Sequence, residues 1–177
     1  MTLIYESPTS GETSTELSMN NQIRSKVILP TVAIAVFSAA FTTVQAAQDA
    51  RVIDLTQTAC QFVESEGGIE RGYSTTKKAD CDAINAKNGV QRVANTEPLV
   101  LKTGSYIFRV TNRDVPYELG FWLRSEGLLD RLILPSVSGG GMTTGKTQDY
   151  AINLKPGEYL YSCPLNTTPD YRLIVKE

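Results

Sequence analysis

The chain has 177 residues, of which 17 are Lys or Arg, 19 are Asp or Glu and none is His. This length predicts a single domain, and the near balance of charges predicts no nucleic-acid or anionic-membrane footprint. The absence of His excludes Ser-His-Asp and Cys-His nucleophile systems, His acids and bases, and every His-ligated metal site. With 41% hydrophobic and 20% charged residues, the composition is typical of a folded protein.

Residues 1–46 are predicted to be a secretory signal peptide. Arg24 and Lys26 precede an apolar run over 27–44, and Ala46 stands where a signal peptidase would cut. We therefore expect cleavage after Ala46 and export, most simply to the periplasm. The alternative is a membrane anchor formed by residues 27–44, a run that is barely long enough to span a bilayer.

The start of the chain is unusual for a signal peptide. Residues 1–18 are polar and carry Glu6, Glu12 and Glu16, whereas Met19 begins a stretch that would be an ordinary signal start. We therefore interpret Met19 as a candidate true start, with 1–18 a mis-assigned or disordered lead. The mature chain, 47–177, contains no second apolar span, so it is predicted to have no membrane-spanning segment.

Three cysteines, Cys60, Cys81 and Cys163, remain in the mature chain. In an oxidising compartment thiols pair, and Cys60 and Cys81 lie close in sequence. We therefore predict a Cys60–Cys81 disulfide, which leaves Cys163 as a lone thiol.

Residues 47–97 are predicted to hold a strand, the disulfide loop and one helix, as part of the same domain as the rest. The strand covers Arg51–Thr56. The helix is expected over Ser74–Lys87, with Ser74 or Thr75 as its cap and Asn88-Gly89 as its stop signal.

From Pro98 onward the hydrophobic pattern has a period of two, which is typical of strands. Turn signals separate the alternating runs, for example Lys155-Pro-Gly157 between two of them. Several short strands with turns between them predict an all-β sandwich or barrel. The runs are centred on Tyr106–Val110, Tyr117–Leu123, Tyr150–Leu154, Tyr159–Cys163 and Tyr171–Val175.

The segment Gly140–Thr147 matches the phosphate-binding pattern G-x-x-x-x-G-K-[ST]. That loop works only when a helix follows it directly, because the helix N-terminal amides hold the phosphate. Here residues 148–154 alternate like a strand. We therefore predict no nucleotide site and interpret the segment as a flexible Gly-rich hairpin or crossover loop.

The stretch Leu154–Asn166, with its Tyr-Leu-Tyr-Ser-Cys163, resembles the end of a cupredoxin, the blue-copper fold. Upstream, Gly104–Asn112 resembles the strand before the first copper His, and Asn112–Phe121 resembles the family's Asn-x-x-x-Pro-His-x-x-x-Phe. The resemblance covers about 98–177, the predicted core. It implies an eight-stranded Greek-key β-sandwich, into whose N-terminal part the one short helix predicted above is inserted.

This chain departs from the family pattern at the copper ligands. The resemblance places Cys163 at the copper Cys, but it places Tyr117 and Asn166 at the two His positions and Tyr171 at the axial Met position. The single Met of the mature chain is Met142, in the Gly-rich segment. A type 1 site needs two His and a Cys, so a blue-copper centre of the normal kind is not expected.

Two functions remain open for such a domain. The first is a metal-free binding or structural module that contacts another periplasmic protein. Its aromatic surface would come from Tyr117, Trp122, Tyr161 and Tyr171, although these tyrosines could equally fill the former copper cavity as core.

The second is a copper-binding or electron-transfer protein with a non-standard site centred on Cys163, since Cys163 thiolate and Met142 thioether suit Cu(I) and Asp170 could add an oxygen ligand. An enzyme is disfavoured because no pair of carboxylates stands at a defined spacing.

Overall fold

The computed structural model describes residues 50–177, so the predicted signal peptide, its apolar run and the candidate start at Met19 lie outside the described residues. The described part contains nine strands, one α-helix and two short 3-10 helices, Glu64–Glu66 and Asp130–Leu132. The strands are β1 (Arg51–Thr58), β2 (Gln61–Phe62), β3 (Leu99–Lys102), β4 (Gly104–Asn112), β5 (Leu119–Ser125), β6 (Val137–Met142), β7 (Thr147–Leu154), β8 (Gly157–Ser162) and β9 (Tyr171–Lys176), and the helix is α1 (Lys78–Ala94).

The strands form two sheets, in the orders β2-β1-β4-β7 and β3-β9-β8-β5-β6. Two pairs, β1 with β4 and β3 with β9, are parallel, and the other pairs are antiparallel. The predicted all-β, Greek-key, cupredoxin-like sandwich with one helix is confirmed. Nine strands are present instead of eight because the two-residue β2 doubles back on β1.

Alternate residues of β4, β7 and β9 are buried between the sheets, as the period of two predicted, whereas β5 is buried along most of its length. Aromatic side chains dominate this core, and the rings of Phe108 and Phe121 stack with centroids 5.5 Å apart. Tyr161 and Tyr171 belong to it and are only 3% and 2% exposed, so they supply no surface. The main core cluster consists of buried residues between Leu55 and Val175.

The helix differs from its predicted bounds. It begins at Lys78, where Asp80 accepts hydrogen bonds from the Thr76 and Lys77 amides (2.8 and 3.1 Å), so Ser74 and Thr75 do not cap it. It also continues through Gly89 to Ala94. Gly89 is buried, and a Cβ there would lie 3.7 Å from the Pro169 ring. A Cβ at that distance would make ordinary van der Waals contact, so Gly89 marks where α1 packs against the chain that follows β8.

The predicted Gly-rich segment begins as a strand and ends as the loop 143–146, which crosses from one sheet to the other. Residues 137–142 form strand β6, which pairs with β5 and places Met142 opposite Leu119 with its side chain fully buried. Gly120 and Gly139 approach so closely that a Cβ on Gly120 would lie 2.6 Å from the Gly139 carbonyl oxygen. The residues after Lys146 form strand β7 and not a helix, as predicted.

The strand register divides the sandwich into two ends. The thiol end, as we name it, carries the β1–β2 turn, the 113–118 and 143–146 loops, and the 163–170 loop. The leucine end carries the start of β1 at Arg51, the turns at 102–104 and 155–157, and the long β5–β6 connection over 126–136. Between residues 50 and 177, no helix is long and apolar enough to cross a membrane.

Candidate functional site

Cys163 follows the last residue of β8 and lies at the centre of the thiol end. Its side chain is fully buried, and its sulfur accepts hydrogen bonds from the backbone amides of Gly120 (3.4 Å) and Asn166 (3.2 Å). Its own amide donates to Thr168 Oγ1 at 2.8 Å. Burial raises the pKa of the Cys163 thiol, and the amide hydrogen bonds oppose that effect without reversing it. The sulfur is therefore a neutral thiol at neutral pH, which is a poor nucleophile.

Gln57 is a neighbour of this thiol that the sequence reasoning missed. It is fully buried on β1, lies beside Cys163, and donates from Nε2 to the Gly120 carbonyl at 2.9 Å. Its Oε1 has no hydrogen-bond partner among the described residues. Ile53 and Leu55 are alternate residues of β1, and continuing that alternation would have predicted that Gln57 faces inward.

Asn166 ties the loop after β8 to the disulfide turn. Its Oδ1 accepts from the Cys60 amide at 3.0 Å, and its Nδ2 donates to the Thr58 carbonyl at 2.8 Å. The side chain is fully buried, and both of its polar atoms have partners. Asn166 therefore holds two loops together.

The predicted Cys60–Cys81 disulfide is confirmed and joins the β1–β2 turn to the first turns of α1. Cys163 is the remaining, free cysteine of the described chain. Both disulfide cysteines are fully buried in a small cluster against Tyr73 and Ile84, so the bond lies inside the thiol end and not on its surface.

Tyr117 is half-buried and its hydroxyl reaches the same group. It lies 3.1 Å from Thr75 Oγ1 and donates to Asn166 Oδ1 at 3.4 Å. Burial raises the pKa of the Tyr117 phenol, so it is neutral. Asn112 shapes the loop that presents Tyr117, because its Nδ2 donates to the carbonyls of Val115, Tyr117 and Met142 at 3.0–3.2 Å.

The structure brings Cys163, Asn166 and Tyr117 together. The other predicted site residues make different contacts, as follows. The Tyr171 hydroxyl donates to Glu66 Oε1 at 2.7 Å. Asp170 accepts from Arg124 at 2.7 Å, so its carboxylate is paired. Met142 lies on the strand next to Gly120, with its backbone carbonyl accepting from Asn112.

A buried ionic cluster beside the thiol end also escaped the sequence reasoning. The Glu66 carboxylate, 3% exposed, accepts from Arg92 Nε (3.1 Å), Arg71 Nε (2.8 Å) and Tyr171. Burial opposes ionisation of Glu66, but these hydrogen bonds outweigh it and lower its pKa. Arg92 also donates to the Cys60 carbonyl at 3.0 Å, so it joins α1, the disulfide turn and Glu66. Nothing in the polar stretch 64–72 marked Glu66 as buried.

A cavity of about 590 Å³ opens on the flank of the sandwich, between β1, the turn at Glu64–Glu66 and the start of β3. Tyr161 is the one aromatic residue that lines it, and Cys163, Asn166 and Tyr117 do not. The cavity is therefore separate from the predicted site.

The residues at the thiol end do not fit a type 1 copper centre, which requires two imidazoles and a thiolate. The chain has no His, the Asn166 amide oxygen is already bonded, and the Cys163 sulfur is a neutral thiol held by two amides. No group of three or more His, Cys, Asp or Glu within residues 50–177 is placed to hold a metal ion.

No known family profile and no curated protein matches the sequence. Among solved structures, the chain is similar to auracyanin B, with 13% identity and a TM-score of 0.43 over 72% of this chain and 90% of that one. It is also similar to reduced rusticyanin, with 14% identity and a TM-score of 0.37 over 71% and 80% of the two chains. A multicopper oxidase from Pediococcus acidilactici is 9% identical, with a TM-score of 0.39 over 86% of this chain and 31% of that one.

The class of the domain follows from its own strand order. Two packed mixed sheets, with a lone Cys directly after β8 at one end, define a cupredoxin-like β-sandwich. In this sandwich the positions that the resemblance assigns to copper ligands hold a thiol, an amide and a phenol.

Proposed function

We propose that this chain is an exported, cupredoxin-like binding module that has no type 1 copper centre. The observation that carries the proposal is the use made of the former ligand positions. Asn166 bridges two loops, Tyr117 bonds Thr75 and Asn166, and the Cys163 thiol accepts two backbone amides. Each group stabilises the fold at the place where a copper protein would keep a ligand free.

A role without catalysis is supported by the chemistry of the same groups. A thiol with a raised pKa and no exposure cannot act as a ready nucleophile. The buried carboxylate nearby, Glu66, is held ionised by Arg92, Arg71 and Tyr171, so it is matched to neither general-acid nor general-base work at neutral pH.

Export is supported by two independent features. The apolar run over 27–44 is followed by Ala46 at a suitable cleavage position, and the Cys60–Cys81 disulfide requires an oxidising compartment to persist. When the full chain is produced in a bacterium, we expect the mature protein in the periplasmic fraction, with Ala47 as the first residue found by N-terminal sequencing.

The copper part of the proposal is tested by adding Cu(II) to the purified mature chain. We expect no intense visible band from a thiolate–copper bond. We also expect the Cys163 thiol to resist a thiol reagent in the native protein and to react once the protein is unfolded. An intense visible band, or rapid reaction of the native thiol, would contradict the proposal.

The alternative function is a Cu(I) site made by Cys163 and Met142. It is favoured by one observation, namely that both side chains belong to the same buried cluster, with Met142 opposite Leu119 and Cys163 against Gly120. Sulfur ligands of this kind suit Cu(I).

A Cu(I) titration against a competing chelator separates the two functions. Tight binding that is lost in both Cys163→Ser and Met142→Leu would establish the alternative, whereas weak binding that neither substitution changes supports the metal-free module. Circular dichroism confirms that each variant is folded.

A further inference from the structure

The two lateral sides of the sandwich differ in how they are closed. On one side the edge strands β6 and β7 meet, since the Tyr150 hydroxyl donates to the Gly139 carbonyl at 3.3 Å. On the other side, which we name the open side, the edge of β1 and the edge strand β3 flank the cavity of about 590 Å³. Within residues 50–177 no strand pairs with Arg51–Thr56 on this side, because β2 reaches only Gln57 and Thr58.

The open side presents unpaired backbone groups of β1. The Thr56 amide and carbonyl face away from β4, because they bond Glu64 Oε2 (2.6 Å) and the Val63 amide (3.0 Å). In a parallel pair the backbone groups of alternate residues face the same edge, so those of Asp54 and Val52 also face the open side. They have no partner there in the part of the chain that the structure describes. A strand edge of this kind is a template for pairing with another chain.

The cavity beside this edge has an apolar wall. Leu55 and Tyr161 are buried members of the main core that line it, and Ile53 and Leu99 line it while packing against that core. Its volume lies in the range of about 300–1,000 Å³ that is usual for ligand sites. A strand added to β1 would continue its pleat and direct alternate side chains toward this wall.

Carboxylates surround the opening of the cavity. Asp54, Glu64 and Glu97 are exposed, contribute to its lining and form no ion pair with any other described residue. No Lys or Arg is among the described residues that line it. The buried Glu66 beneath pairs with two arginines and so adds one excess positive charge, which leaves the opening with a net negative charge.

Two other arginines near β1 are engaged elsewhere. Arg109 lies opposite Asp54 in the register with β4, but both carboxylate oxygens of Asp149 accept from its guanidinium at 2.8 Å. Arg51 donates to the Thr103 carbonyl at 3.1 Å, at the leucine end. The unpaired charged groups that a ligand meets at the opening are therefore carboxylates.

We propose that the open side binds an extended, basic peptide segment of another protein, which adds to β1 as a further strand. The backbone of the segment pairs with the outward groups of Val52 and Asp54. Its apolar side chains enter the cavity, and its Lys or Arg side chains face the three carboxylates. Strand addition draws affinity from main-chain hydrogen bonds and specificity from pockets for alternate side chains. The inference deepens the proposed binding role, on which it rests, by naming the class of partner.

The charge around the opening disfavours a second copy of the chain as the occupant. Two β1 edges that met antiparallel would bring the carboxylates of both openings together, and like charges opposite each other across paired strands are destabilising. A basic segment is complementary to the same carboxylates.

The test uses the purified mature chain and a fluorescent, end-capped synthetic hexapeptide in which Lys and Val alternate. We expect saturable binding by fluorescence anisotropy and slower hydrogen exchange of the Val52 and Asp54 amides in the complex. A peptide with Glu in place of Lys should bind at least about tenfold more weakly, because its charge repels the carboxylates. A Lys–Val peptide that is N-methylated at every amide should also lose at least about tenfold, because it cannot donate backbone hydrogen bonds.

Variants of the chain locate the binding. Asp54→Lys/Glu97→Lys should weaken binding of the Lys–Val peptide at least about tenfold. The matched control, Asp114→Lys/Glu177→Lys, changes the net charge equally at exposed carboxylates that do not line the cavity. Its affinity should stay within about twofold of wild type at physiological salt, because distant charges are screened. Circular dichroism confirms that both variants are folded.

The proposal is overturned if the Lys–Val peptide does not bind, if either altered peptide binds equally well, or if the control variant weakens binding as much as the open-side variant. It is also overturned if sedimentation analysis shows that the same edge joins two copies of the chain. A failure here leaves the copper titrations unaffected, because Cys163 and Met142 do not line the cavity, so the two proposals fail separately.

Discussion

The two ends of the sandwich differ in which kinds of side chain they bury and which they expose. At the thiol end, several polar and ionisable side chains are buried and paired: Glu66 with Arg92, Asn166 with the disulfide turn, and the Cys163 sulfur with two amides. At the leucine end, the leucine tip (residues 128–133 of the β5–β6 connection) leaves four large aliphatic side chains exposed. Polar groups that are buried and paired stabilise the domain, whereas apolar groups left in water are available to something else.

The comparison predicts that substitutions at the thiol end cost stability and that substitutions at the leucine tip do not. The largest effect is expected for Arg92→Leu, which leaves the Glu66 carboxylate buried with weaker compensation. Breaking a buried ion pair by removing one partner costs about 3–5 kcal/mol, measured by urea unfolding of the mature chain. The control is Arg109→Leu, whose pair with Asp149 is exposed and should matter little.

The stability loss caused by Arg92→Leu should also depend on pH. The folded-state pKa of Glu66 is lowered, so its contribution is present above the unfolded-state pKa and is lost as pH falls through the folded-state value. The stability difference between the wild type and Arg92→Leu should therefore shrink in acid. A difference that stays constant from neutral to acid pH would show that Glu66 ionisation is not involved.

The second-largest loss of stability is expected when the disulfide is removed. Replacing both Cys60 and Cys81 by Ala reopens a loop with a sequence separation of 21 and should cost about 3 kcal/mol. Thermal unfolding of the wild type with and without reductant gives an independent measure of the same loss. Little change in both experiments would show that the bond adds no stability by constraining the unfolded chain, and would leave Arg92 and Asn166 as the contacts that close the thiol end.

A smaller loss is expected for Asn166→Ala, which leaves the Cys60 amide and the Thr58 carbonyl without their partner. Unsatisfied buried groups of this type cost about 1–3 kcal/mol. Asn153→Ala, an exposed residue on β7, is the matched control. Equal effects of the two substitutions on the urea midpoint would contradict the bridging role of Asn166.

The smallest effect is expected at the other end. Leu129→Ser/Leu132→Ser should leave the free energy of unfolding within about 0.5 kcal/mol of wild type, because exposed side chains away from caps and cores contribute little. A loss of stability comparable to that of Asn166→Ala would mean that the tip packs against the domain in solution.

The sandwich was predictable because alternation, turns and a strand ending at Cys163 all favour the same architecture. Burial of Tyr106, Phe108 and Val110 follows directly from the period of two. The helix end was misjudged because Asn88-Gly89 is a stop signal only when nothing packs there, and here Pro169 packs on Gly89. A tertiary contact, and not the low helix propensity of Asn88-Gly89, therefore decides whether the helix continues here.

The candidate site was predictable only in its centre. Spacing along the chain brought Cys163 and Asn166 together, but Tyr171 was drawn away by Glu66, a residue in a stretch that reads as a polar loop. Met142 was misplaced because three consecutive glycines suggest flexibility, whereas they lie in β6, where a Cβ on Gly139 would lie 2.9 Å from the Tyr150 ring. The exposed tip was not predicted, since a run of leucines in sequence does not reveal which of them face the core.

The position of Cys163 beside the disulfide turn bears on how the chain matures. Asn166 contacts the Cys163 sulfur through its amide and the Cys60 amide through its side chain, so all three cysteines converge on one end. During oxidative folding this convergence makes two mispaired products available, Cys60–Cys163 and Cys81–Cys163. If the two sheets closed over Cys163 before α1 docked, both products would be excluded, and the order of assembly would then determine the yield of correctly bonded protein.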